Sequence, residues 1–78
     1  MTLGFPLMSE PLQWIIERSF QIAWEYLQRS GQLGEPTEAG IFLFRTIEGM
    51  VMKGERRKIA LANRAIDAYR QRDQNIAA

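Results

Sequence analysis

The side chains in this sequence with any capacity for chemistry are carboxylates, hydroxyls, guanidiniums and two lysines, because the 78 residues include neither Cys nor His. Without Cys there are no disulfides, no thiolate nucleophiles and no Cys-based zinc or iron–sulfur sites. Without His the commonest general base and metal ligand is missing. Glu17 and Glu25 share the polar side of a helical segment with Gln21, and a carboxylate pair is the minimum for acid–base work or for holding a cation. Eight residues at 1.5 Å rise place them roughly 12 Å apart, too far to share a proton or an ion. Ser9, Ser19, Ser30, Thr37 and Thr46 have no His to activate them, and Lys53 and Lys58 lie among arginines rather than in a neutral pocket. Gly31, Gly34, Gly40, Gly49 and Gly54 match neither a dinucleotide fingerprint nor a phosphate loop. The expectation is no enzyme, no catalytic residues, no metal and no cofactor.

Charge is unevenly distributed. Through residue 52 three Arg face six Glu, a net of −3, whereas from Lys53 onward seven basic residues face three acidic ones, a net of +4. Arg56, Arg57, Arg64 and Arg70 therefore form a candidate basic face for phosphates or for an acidic protein partner. The competing reading is the solvated side of an amphipathic helix, balanced by Asp67 and by the acidic N-terminal half. Asn63 and Gln71 are the only residues there suited to base edges, and a DNA-reading helix-turn-helix over residues 37–70 is disfavoured by a long first helix that is apolar on several sides.

Hydrophobic periodicity supplies the elements that position these groups. At 46% hydrophobic and 24% charged, the composition is that of a globular chain, and its length suits a single domain spanning residues 1–78. Residues 1–8, with Leu3, Phe5 and Leu7, read as an apolar N-terminal arm. They lack the basic start and uninterrupted apolar run of a secretory signal, and nowhere do 18 apolar residues follow one another, so no membrane association and a cytoplasmic location are expected.

A first helix is predicted over 10–30, capped by Ser9 with Pro11 in its first turn and closed by Gly31. Its inner stripe is Leu12, Ile15, Ile16, Ser19, Phe20, Ala23, Tyr26 and Leu27. A second helix is predicted over 37–53 with Thr37 as its cap and Leu43, Phe44, Ile47, Met50 and Val51 inward. A third follows a short turn at Gly54 and covers 55–73, burying Ile59, Ala62, Ala65, Ile66 and Tyr69 with Leu61 at its edge, while 74–78 frays. The fold class is all-α: a three-helix bundle, a helical hairpin plus an N-terminal helix, carrying the apolar arm. Gly40 and Gly49 lie inside the second helix, where each costs about 0.8–1 kcal/mol against Ala. Close approach of a neighbouring ring or helix would account for them, with Gly49 expected against the Phe42 side; a tolerated surface glycine is the alternative.

Filling one such core leaves Trp14, Trp24, Ile41, Phe42 and Met52 unplaced. Aromatic residues and Met are enriched at interface cores, and these five form the candidate partner interface of a homodimer, with the arm packing either in cis or across to the second subunit. The expected function is a small non-catalytic protein–protein interaction module or adaptor that self-associates through apolar helix surfaces. The alternative is a nucleic-acid-binding accessory protein using the basic face of the third helix.

Overall fold

A computed structural model describes the backbone of residues 11–77 and the side chains of residues 11–72. Three helices, α1 (Leu12–Arg29), α2 (Pro36–Met52) and α3 (Lys58–Ala77), pack against one another in an all-α three-helix bundle. The arm and the Ser9 cap lie outside the described residues.

The helix ends are set by local chemistry, and several differ from expectation. Pro11 stands just before α1 rather than inside its first turn; its extended ψ of 141° sets the entry, and its carbonyl accepts the Ile15 N–H at 3.1 Å. α1 closes on Gly31, whose φ of +74° lets Gln32 N donate to the Leu27 carbonyl and Gly31 N to that of Gln28. α2 begins one residue earlier than expected. Its cap is Glu35, whose carboxylate accepts the Glu38 N–H at 2.8 Å, and Pro36 takes the first helical position, leaving Thr37 inside the helix. Gly54, at φ +112°, closes α2 in the same manner: Glu55 N reaches the Met50 carbonyl and Gly54 N that of Val51.

Residues 55–57 are not helical, so α3 starts at Lys58. The Glu55 carboxylate accepts the backbone N–H groups of Arg56 (3.2 Å) and Arg57 (3.0 Å), and this holds the chain in a turn instead of a helical start. At the other end α3 continues through Ala77 rather than ending at 73.

Contacts fix the helix directions. Phe20 and Trp24 lie against Gly40, which makes α1 and α2 an antiparallel hairpin. Phe42 meets Tyr69 while Arg56 donates to the Val51 carbonyl, so α2 and α3 are also antiparallel. α1 and α3 consequently run parallel, and Arg70 bonds to the Tyr26 hydroxyl at 2.9 Å and to the Gln32 amide oxygen at 2.7 Å.

The core consists of Ile15, Ala23 and Leu27 from α1, Ala39, Leu43, Ile47 and Val51 from α2, and Leu61, Ala62, Ala65, Ile66 and Tyr69 from α3. Ser19 is fully buried among them, its hydroxyl donating to the Ile15 carbonyl at 2.7 Å. Leu61, placed at the edge by periodicity, is fully buried, whereas Leu12, Tyr26, Phe44 and Ile59, all expected inside, are exposed. α3 contributes two alanines, Ala62 and Ala65, to its packed face and sits close to both partners. The core therefore closes on the central line of each helix and leaves the flanks of the predicted stripes outside. Gly34 donates its N–H to the Tyr69 hydroxyl at 2.8 Å, linking the first loop to α3. Gly49 has no neighbour for an added Cβ within 4 Å, so the expected contact on the Phe42 side is not formed.

Candidate interaction groove between α1 and α2

Among the described residues a largely apolar concavity opens between α1 and α2. Glu17 and Phe20 from α1 and Gly40, Ile41, Phe44 and Arg45 from α2 line a groove of about 480 Å³. Its floor is built by a close aromatic packing. Phe20 and Trp24, one helical turn apart, stack with centroids 5.7 Å apart and planes 19° from parallel. Gly40 lies under both rings: an added Cβ would sit 3.6 Å from Trp24 and 3.9 Å from Phe20. This is ordinary contact, so the glycine brings α2 to van der Waals distance of the stack without being strictly required.

The five residues expected to form one interface are distributed differently. Trp24 is half-buried by Phe20 and the core, and Phe42 is covered by the edge of Tyr69 (5.9 Å) and by the Arg72 guanidinium 5.2 Å above its ring. Trp14, Ile41 and Met52 are 46%, 51% and 79% exposed. Of these, Ile41 alone lines the groove. Trp14 is ten residues from Trp24, which places it about 80° around the helix and roughly 15 Å along it. Met52 is the last residue of α2, three turns beyond Ile41.

The close approach of a ring expected at Gly40 is formed, whereas sequence reasoning missed Phe20 and Phe44 as lining residues. Phe20 and Phe44 were assigned to inner faces, yet each lies about 100° around its helix from a fully buried neighbour, Ser19 or Leu43. The available signal was their company: Glu17 is one turn before Phe20, and Arg45 follows Phe44 directly. Aromatic groups beside charges mark the border of a stripe rather than its centre.

The four basic residues are all exposed, and three of them are engaged within the chain. Arg56 donates to the carbonyls of Val51 (2.7 Å) and Glu55 (3.0 Å), Arg57 pairs with Glu55 at 3.0 Å, and Arg70 is engaged by Tyr26 and Gln32. Arg64 alone of the four has a side chain with no hydrogen bond or ion pair among the described residues. α3 begins only at Lys58, so Arg56 and Arg57 lie in the turn before it while Arg64 and Arg70 lie on the helix. Among the described residues the pronounced electrostatic perturbation is at Glu55. Its hydrogen bond from the Arg57 side chain, with further bonds from the Arg57 and Arg56 backbone and the Arg57 charge, lowers its carboxyl from an ordinary 4.5 to about 2. The Arg57 guanidinium is raised correspondingly. This pair is a structural clamp on the α2–α3 turn.

Among the described residues no group of three or more acidic side chains is placed to hold a metal ion, and no helix is long and apolar enough to cross a membrane. No protein-family model, no curated protein and no solved structure matches the chain.

Proposed function

We propose that this chain is a small non-catalytic interaction module of the cytoplasm that self-associates by burying its α1/α2 groove against a second copy. The observation that carries the reading is the groove itself, where Ile41 and Phe44 stand 51% and 43% exposed beside the Phe20–Trp24 stack. Contiguous apolar surface of this kind on a small protein marks a contact with another protein. A 78-residue chain also has a thin core, and association adds burial that the monomer lacks. The chemistry of the side chains supports a non-catalytic role. The Ser19 and Thr46 hydroxyls are spent on backbone carbonyls of their own helices, and Glu17 and Glu25 each accept from a glutamine one turn earlier.

Sedimentation velocity across a concentration series tests the reading. The wild type is expected to convert from monomer to dimer in the micromolar range, and Phe44→Asp is expected to remain monomeric with unchanged helicity. A wild type that stays monomeric at high micromolar concentration overturns it.

A further inference from the structure

We propose that the two copies pair in parallel about a two-fold axis running along the groove, so that α1 of each lies over α2 of the other and Glu17 of each meets Arg45 of the other. This arrangement rests on the self-association reading above and specifies its geometry. The two walls of the groove carry unlike charges: Glu17 on α1 and Arg45 on α2 line the same concavity, and both side chains are exposed. Within the chain neither satisfies the other. Glu17 accepts a single hydrogen bond, from the Gln13 amide at 3.1 Å, and the Arg45 side chain has no hydrogen-bond or ion-pair partner among the described residues.

A face-to-face two-fold contact is isologous, and on a surface made of two antiparallel helices its axis runs either along the helices or across them. Along the helices, each α1 covers the other copy's α2 and residues keep their height. Acid then meets base twice, and Phe20 comes level with Ile41, one apolar group over another. Across the helices, α1 covers α1 and α2 covers α2, which brings Glu17 toward Glu17 and Arg45 toward Arg45. Burial of apolar surface has no direction and serves both arrangements. The charges discriminate between them, since like-charge juxtaposition suppresses wrong pairings and opposite charges fix register.

Charge reversal tests this. Glu17→Arg and Arg45→Glu each convert both junctions into like-charge contacts and are expected to weaken dimerisation about tenfold in the full chain at low salt, two exposed pairs being reversed at once. The double variant, Glu17→Arg with Arg45→Glu, restores opposite charges and is expected to return to within about threefold of the wild type. Sedimentation equilibrium gives the dimer constants, and circular dichroism checks that the helices are retained. A dimer indifferent to the single reversals, or singles that weaken it without rescue by the double variant, overturns the parallel arrangement while leaving self-association standing. A monomeric wild type overturns both.

Discussion

Glu55 shows how one side chain acts on the fold without any part in the groove. Its carboxylate accepts from the Arg57 guanidinium at 3.0 Å and from two backbone N–H groups, and it bridges the end of α2 to the start of α3. Because these bonds favour the ionised form, the carboxyl titrates at about 2 in the folded chain instead of its ordinary 4.5. A folded-state value below the unfolded one means that the contribution is fully present above about pH 4.5, declines as pH falls through the interval, and is gone below about 2. Thermal unfolding followed from pH 6 to 2 is therefore expected to show an acid limb that Glu55→Gln flattens. An identical limb in that variant would remove Glu55 as its source.

At the scale of the helices, termini depended on which nearby polar group reached the orphan amides. Thr37 is the better cap by residue preference, but Pro36 before it supplies a fixed φ suited to the first helical position, so the helix begins there and Glu35 takes the capping role. Glu35→Ala is expected to lower stability by about 0.5–1 kcal/mol. Thr37→Ala, at an exposed position inside the helix, is expected to change it by less than about 0.5 kcal/mol. Chemical denaturation of the two variants against the wild type checks the order, and the reverse order would return the cap to Thr37. At the C-termini, by contrast, Gly31 and Gly54 adopt positive φ, which glycine tolerates and β-carbon-bearing residues do not. Both helices end where the sequence marks them.

For the molecule as a whole, stability and association are linked if folded copies pair through the groove. Each tenfold rise in concentration is then expected to raise the melting temperature by roughly 3–5 °C, since mass action stabilises the folded dimer alone. Phe44→Asp is expected to abolish that dependence. A melting temperature constant over two decades of concentration in the wild type would dissociate folding from pairing. Several charges are engaged inside the monomer: Arg72 lies 3.5 Å from Glu38, Arg57 binds Glu55, and Arg70 stacks 5.5 Å over the Tyr26 ring. Arg45 and Glu17 remain as the unlike pair flanking the groove.

Periodicity alone determined the helical class, the order of three helices and most of the core line, because Ala23 and Leu27, then Leu43, Ile47 and Val51, then Ala62, Ala65, Ile66 and Tyr69 recur at three- and four-residue intervals that a helix must bring to one side. It also identified more apolar surface than one small bundle encloses. Tertiary structure decided which flank of each stripe is covered. A stripe read from one helix has no knowledge of where its two neighbours lie, and crossing geometry buried Leu61 while exposing Phe44 and Ile59. The same geometry partly covered Phe42 with Tyr69 and Arg72 and opened the groove beside Phe20. Contacts within the α2–α3 turn engaged Arg56 and Arg57, and long-range ones engaged Arg70, since a guanidinium takes whatever acceptors the fold brings within reach.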